Sequence, residues 1–595
     1  MKPTLDKATR VMHDAVLRTH RKSSAPPASL DPMHTSIDRR QWLQSLAASL
    51  PWLVPAGRLG AAATPPSPRR FLFNCDGSVI HGWGKTLFPE SSGPLTREQF
   101  VSLVFGPLEN TAVDTLLFSF GSGNVAEYDS QVLEWPGQAD AFQFPPRRAW
   151  HGDIEFDPQD QYRNPHHLAS QGHNPPDVIV AECRRRGLAA FASLRMNDTH
   201  DAQPPRGQLP NPELPTFKRQ NLHWLVENLD RWTALDYRNR QVRALKLRVI
   251  EELFDRWDFD GIELDWLRHT LNFPRGEERK HAGYLTEFMR QVRASLQQRA
   301  QARGRPIEIA VRVPERLAWC QLGGYDVPAW IREDLFDALI LGQGLTELPT
   351  LAEFRQLMQH RKLPIYPCLY AYGNGYQISP DAVIRGSAAN LWRDGADGLY
   401  TFNWFHYGSW RQNLINEIAN PATLAQKKQH YTLVHKFDVG RSIGTDYLRF
   451  NTTYRAPQVP LELTVESGVT TVQVPVSGSP QTAELWIGLH FCQPGDQLTA
   501  ELNGKLLAPG VIDAHPAQQS LGATLDIPAQ QGLIGLPPTR QLDQRFNGLR
   551  WQLPVADLQP GHNAISLTLQ KRGRGSDKTL QVARIEIVAG PSLDG

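Results

Sequence analysis

The stretch Phe259–His269, FDGIELDWLRH, places Glu263 and Asp265 two residues apart inside a short apolar run. A strand alternates its faces, so both carboxylates point the same way. Two acids buried on one face are costly unless they are paired or used. Used, they can give and take protons during hydrolysis. Asp265, nearer the strand end, is expected to touch the ligand, with Glu263 one step deeper as its tuner. Burial beside a second acid should raise the Glu263 carboxyl unless Arg195 or Arg312 neutralises it. Glu263 reads equally well as a buried ion-pair partner of one of those arginines.

Eight short apolar runs surround this pair in sequence, at residues 70–74, 114–120, 188–195, 261–266, 307–313, 337–342, 364–370 and 398–404. Helical patterns separate them. Before the fourth run, Val242, Leu245, Val249, Ile250, Leu253, Phe254 and Trp257 form one apolar stripe, with Asn239 as its cap. After it, Tyr284, Leu285, Phe288, Met289, Val292 and Leu296 form another. Strands alternating with helices imply a parallel sheet. Eight units fit an α/β fold, a (β/α)₈ TIM barrel. An open doubly wound sheet is the alternative, but FNCDGSVIHGWG after the first run contains no GxGxxG.

Barrel sites lie at the C-terminal strand ends. There the first run offers Asp76, and the third offers Arg195, Asn197, Asp198 and His200. The fourth offers Glu263, Asp265, Trp266 and Arg268, and the fifth Arg312 and Glu315. The sixth to eighth offer Gln343, Tyr370, Asn403 and Trp404. Carboxylates, cations, amides and flat rings on one rim suit a carbohydrate ligand. Glu315 is the leading second catalytic carboxylate, ahead of Asp198 and Asp76. Trp266, Trp319 and Trp404 could stack on sugar or pack in the core. His200, His269 and His406 read as hydrogen-bonding rim residues. The long 121–176 connection is expected to wall the cleft, with Tyr128 and Trp135 as contacts, and GNGYQ (373–377) lies on the same rim.

The chain has 595 residues, too many for one core. A net charge of +2 gives no reason to propose nucleic acid as a partner. Five scattered cysteines support neither a disulfide framework nor a zinc site. No cofactor or metal is implied; Asp76, His200 and Asp265 are the one set worth checking for a metal-dependent hydrolase. Residues 1–63 read as an extension carrying an export signal: Arg39-Arg40, a moderately apolar stretch, then Ala61-Ala62-Ala63. Pro51 and Pro55 argue against a stable membrane span. Residues 64–425 hold the barrel and 426–455 a connector. Residues 456–595 alternate with period two between turn residues, including Asn503-Gly504, and read as a jelly-roll-like β-sandwich that either buttresses the barrel, the leading reading, or binds polysaccharide.

DFDGIELDW, LRMNDTH and GADGLYTFNW together resemble the glycosyl-hydrolase-like family 10 group of exported bacterial barrels. The resemblance implies a carbohydrate ligand and a glycosidase activity. DGIELDW also resembles the DGxDxDxE strand of chitinases. The position of their catalytic Glu is Leu267 here, which cannot move a proton. The sequence therefore leads to an exported glycoside hydrolase using carboxylates at the open mouth of a barrel. The alternative is a non-catalytic carbohydrate-binding protein on a degenerate barrel.

Overall fold

The structure is a computed structural model. It describes residues 69–591 except 70, 82–93, 144–148, 152–153, 157–161, 203–210, 228, 230–231, 343–350, 359–360, 371–378, 405–410, 434–457, 494, 513–546 and 576. The expected export segment, Gln343, the GNGYQ segment and His406 lie outside the described residues. Among the described residues no helix is long and apolar enough to cross a membrane.

Eight parallel strands close into a barrel: β1 (Phe71–Cys75), β2 (Thr115–Ser119), β3 (Ala189–Arg195), β4 (Gly261–Asp265), β5 (Glu308–Val313), β6 (Ala338–Leu341), β7 (Ile365–Tyr370) and β8 (Leu399–Phe402). Each pairs with its neighbours in the chain, and β8 returns to β1 with Phe71 opposite Leu399. Closure excludes the open doubly wound sheet. The strands are the eight apolar runs because both of their faces are covered. On β4, Ile262 and Leu264 pack outward into the helix layer. Leu72, Leu117, Phe191, Ile340, Tyr366 and Tyr400 fill the interior. Each such side chain contributes roughly 1.5–3 kcal/mol of burial.

Helix α1 (Arg240–Arg256) begins at Asn239, whose side chain accepts from the Gln241 amide. It buries the expected stripe, and also Lys246 and Glu252. Lys246 Nζ donates to the carbonyls of Gly123 at 2.6 Å and Arg195 at 3.2 Å, tying α1 to the end of β3. Glu252 accepts from the Tyr128 hydroxyl at 3.1 Å and from Ser130 Oγ at 2.6 Å. Tyr128 thus anchors its loop on α1 instead of facing the mouth, and the Trp135 ring meets His166. The Tyr128 placement corrects an expected ligand contact. Helix α2 (Glu278–Arg303) ends at Gly304, whose φ of 73° is the left-handed cap conformation.

The C-terminal part is a two-sheet sandwich of strands β9 (Gln429–Thr432), β10 (Leu461–Leu463), β11 (Val469–Val476), β12 (Thr482–His490), β13 (Gln497–Leu502), β14 (Lys505–Leu506), β15 (Val511–Ile512), β16 (Asn547–Gln552), β17 (Gly561–Lys571) and β18 (Leu580–Gly590). One sheet runs β9-β18-β12-β16-β15 with β10 also on β18; the other runs β11-β17-β13-β14. Val474, Leu485, Ile565 and Ile587 meet between them in one core. Asn503 and Gly504 have φ of 51° and 81°, the conformation a two-residue hairpin requires. The expected connector is corrected in one respect: Gln429–Thr432 is a strand of the sandwich, paired with 586–589 of β18.

That strand also meets the barrel. A Cβ on Gly386, in helix α3 (Asp381–Arg393), would lie 2.1 Å from the His430 carbonyl oxygen. Asn390 Nδ2 and Arg393 Nη1 donate to the carbonyls of Pro475 at 3.1 Å and Val476 at 2.7 Å. The sandwich is thereby fixed to the barrel's outer layer, as a buttress would be.

Candidate active site

On the inner face of the barrel, strand register sets charge against charge. Arg195 on β3 pairs with Asp265 on β4, and Asp265 with Arg312 on β5. Partners in register on adjacent parallel strands project to the same side. One row of the interior therefore reads plus, minus, plus. Arg312 Nη1 donates to Asp265 Oδ2 at 3.1 Å, and the Leu267 amide to Asp265 Oδ1 at 2.9 Å. The Arg312 guanidinium carbon lies 3.8 Å from the centroid of the Phe402 ring, a cation–π contact in a dry setting.

One layer deeper, Glu263 accepts from Asn74 Nδ2 at 2.8 Å and from the Tyr400 hydroxyl at 2.7 Å. Its carboxyl is pushed up to about 7 by burial and then by Asp265, with Arg312 opposing. Neither arginine is its direct partner in an ion pair; three neutral groups, Asn74, Tyr400 and Ser193, hold it instead.

The expectation that this acid pair lines an open mouth is corrected. Glu263 is 0 % and Asp265 1 % exposed. They form a floor beneath the mouth, with Tyr400 on Glu263, Arg312 on Asp265 and Phe402 against Arg312. Glu315, the expected second carboxylate, is 2 % exposed and lies against Gly342.

Above the floor, Arg195 joins two further acids. Its Nη2 is 2.8 Å from Asp76 Oδ2, and its Nη1 3.0 Å from Asp198 Oδ2. The Asp76 side chain keeps 11 % exposure. Asp198 is fully buried, and its Oδ1 faces His200 Nδ1 at 2.6 Å. Burial pushes its carboxyl up, but His200, His269 and Arg195 outweigh that and hold it well below the carboxylate range. The His200 side chain is 29 % exposed, and Arg268 Nη2 donates to its Nε2 at 2.8 Å. Burial and then the Arg268 charge keep this imidazole lowered against the pull of Asp198. Tyr370, half-buried, stacks on Phe402 at 6.1 Å and 13° and accepts from Asn403 Nδ2 at 3.0 Å.

Four expected ligand contacts are placed elsewhere. Trp266 is buried among Tyr237, Phe288, Tyr325 and Trp330, in the helix layer. Trp404 joins the same outer core. Asn197 donates to the carbonyls of Leu235 at 2.9 Å and Leu271 at 2.7 Å and accepts from the Leu235 amide at 3.0 Å, so it staples loops. Trp319 is buried under the Arg316 guanidinium. Asp76, Arg195, Asp198, His200 and Arg268 do converge.

Of metal-ligating types, Asp198, His200 and His269 bring ligand atoms within 4.8 Å of one another, not Asp76, His200 and Asp265. His269 Nδ1 already accepts from the Thr199 amide at 3.0 Å. Arg195 and Arg268 add two fixed positive charges at the cluster. Those engaged lone pairs and cations fit a hydrogen-bond relay better than a metal centre.

Two features had no motif to announce them. His81 Nε2 and Glu127 Oε1 pair at 2.7 Å, both buried. Glu213, in the loop after β3, is half-buried with its carboxyl raised by burial and by Asp198.

No family model matches the chain, and no curated protein matches it significantly. Among solved structures it is similar to the PgaB (BpsB) glycoside hydrolase domain from Bordetella bronchiseptica, at 12% identity and a TM-score of 0.35, over 59% of this chain and 98% of that one. It is also similar to the endo-beta-1,4-mannanase from Thermotoga petrophila, at 10% identity and a TM-score of 0.38, over 89% and 98%. A family GH18 chitinase from Chromobacterium violaceum matches at 10% identity and a TM-score of 0.30, over 87% and 90%. At these identities and TM-scores the likenesses carry no weight for this chain's chemistry. The likeness to the glycosyl-hydrolase-like family 10 group rests on its quoted motifs alone.

Proposed function

We propose that the chain is an exported glycoside hydrolase acting on a poly- or oligosaccharide by carboxylate chemistry at the barrel mouth. The observation that carries this reading is the in-register row Arg195–Asp265–Arg312, capped by the partly exposed Asp76, His200, Arg268 and Tyr370. Arginines and a flat ring suit sugar hydroxyls and sugar faces. Asp76, oriented by Arg195, is the carboxylate that meets substrate and takes the proton of the water that adds to the anomeric carbon. Asp265 acts through Arg195 and Arg312 as a positioning residue, and Glu263 sets the floor beneath it. Export rests on Arg39-Arg40 and the small-residue stretch that follows.

A second reading has a specific observation in its favour. The near-complete burial of Asp265 and Glu315 suits a barrel that binds carbohydrate without cleaving it. Release of reducing ends from chitin, chitosan, mannan, xylan and dextran separates the two. The wild type should cleave at least one of them. Asp76→Asn should lower turnover by about 10²–10⁴-fold, the usual weight of a proton-transfer group, and Asp265→Asn, acting at one remove, should lower it by less. Retention on a polysaccharide without any product would establish the binding reading instead.

A further inference from the structure

The segment after β3 returns to the mouth at Glu213 and is pinned there on both sides. Asn211 Oδ1 accepts from the Glu213 amide at 2.9 Å, while Asn211 Nδ2 donates to the His200 carbonyl at 3.4 Å. The Pro212 carbonyl accepts from the Gly137 amide at 2.6 Å, and the Thr216 amide donates to Glu134 Oε2 at 2.7 Å. The backbone of Glu213 is thus fixed to the residue that carries the exposed imidazole. Its side chain is half-buried. Among the described residues no hydrogen bond or ion pair engages its carboxylate, whereas Asp76, Asp198 and Asp265 are each held by an arginine.

We propose that Glu213 is the acid that protonates the departing glycosidic oxygen; this rests on the hydrolase reading above. The Glu213 carboxyl gives its proton to that oxygen as the bond from the anomeric carbon breaks, and the leaving sugar departs as an alcohol. Water adds to the anomeric carbon and loses its proton to Asp76. Exchange with solvent restores both groups. The charges that face Glu213 are Arg195 at the end of β3, Asp198 and Asp201 from the turn that follows it and Glu127 from the loop after β2. Asp201 is itself paired with Lys218 at 2.7 Å. Burial and then Asp198 raise the Glu213 carboxyl to about 8, with Arg195 opposing, so it carries its proton in neutral solution. Asp76, by contrast, sits on a guanidinium. One acid that keeps its proton beside one that is ion-paired is the division of roles that acid-assisted cleavage needs.

The test compares leaving groups. Once the polysaccharide panel names the sugar, wild type and Glu213→Gln are assayed on its unactivated oligosaccharide and on its 2,4-dinitrophenyl glycoside, which needs no protonation to leave. Glu213→Gln should slow the oligosaccharide by about 10²–10⁴-fold and the activated glycoside by less than about tenfold, and should remove the alkaline limb of the pH–rate profile. Glu213→Asp, with an acid one methylene shorter, should recover part of the oligosaccharide rate. Equal losses on both substrates, or an unchanged oligosaccharide rate, would overturn the assignment while leaving the hydrolase reading intact. No hydrolysis by the wild type on any substrate would overturn both.

Discussion

Glu263 gives the interior a measurable signature. Its carboxyl moves from 4.5 to about 7 on folding, because burial and Asp265 both disfavour its charge. At 1.36 kcal/mol per tenfold change in proton affinity, that is worth ~3 kcal/mol. Between those pH values the folded chain holds a proton that the unfolded chain has released. The contribution is therefore fully present below pH 4.5 and is lost as pH rises through 7. Glu263→Gln cannot titrate and should lose that dependence. The new amide can be accommodated: Asn74 Oδ1 is unpartnered, so rotating the Asn74 amide turns an acceptor toward it while the Tyr400 hydroxyl still donates. Melting temperatures of both proteins at pH 5, 6, 7 and 8 report the difference. Other titrating groups are common to the two and cancel. At roughly 2 °C per kcal/mol for a domain of this size, the wild type should lose roughly 5 °C relative to the variant across that range. Curves that stay parallel from pH 5 to pH 8 would refute the placement of a strained acid under Asp265.

Two further perturbations probe the floor and the buttress. Arg312→Met leaves the buried Asp265 without its ion-pair partner and should cost about 3–5 kcal/mol; adding Asp265→Asn should restore much of it, which a double-mutant cycle in urea would measure. Gly386→Ala drives a methyl group to within 2.1 Å of the His430 carbonyl oxygen, so thermal unfolding should show the junction loosened by about 1–3 kcal/mol or more. A melting curve equal to the wild type's would dissolve the buttress role.

The strands were legible because each is a short apolar run covered on both faces, and the charged row because Arg195, Asp265 and Arg312 end three successive runs in phase. Strand parity, carried one residue past β4, also places Trp266. Ile262, Leu264 and Trp266 alternate with Glu263 and Asp265, so the ring belongs with the outward set. Parity fails for Trp404, because Asn403 has a φ of +50° and turns the chain after Tyr400 and Phe402 have faced inward. Glu213 follows a long aperiodic segment, and no spacing links it to β3. Its place is set by the Asn211 and Pro212 hydrogen bonds, long-range contacts that periodicity does not encode. The burial of Asp265 was hidden for a similar reason: Phe402, which covers its partner Arg312, lies 137 residues away on β8.

A plus–minus–plus row inside a barrel is not what stability alone would select. Replacing buried ion pairs with packed hydrocarbon is often neutral or stabilising, and the neighbouring inward positions Leu72, Leu117 and Ile340 are already hydrocarbon. The row sets a negative charge beside Arg195. Asp265 occupies the in-register position next to that side chain on β4, while the Arg195 backbone carbonyl is held by Lys246. Arg195 in turn holds Asp76 and Asp198, and Asp198 holds His200. Each link is short and buried until the last, where Asp76 and His200 emerge at the mouth. An exposed pair loses its geometry to side-chain entropy and solvent; a buried chain of charge-assisted bonds keeps the emerging groups in one orientation. The acid couple on β4 thus serves the mouth without reaching it, and variants of the floor should change how the rim groups act before they change what those groups bind.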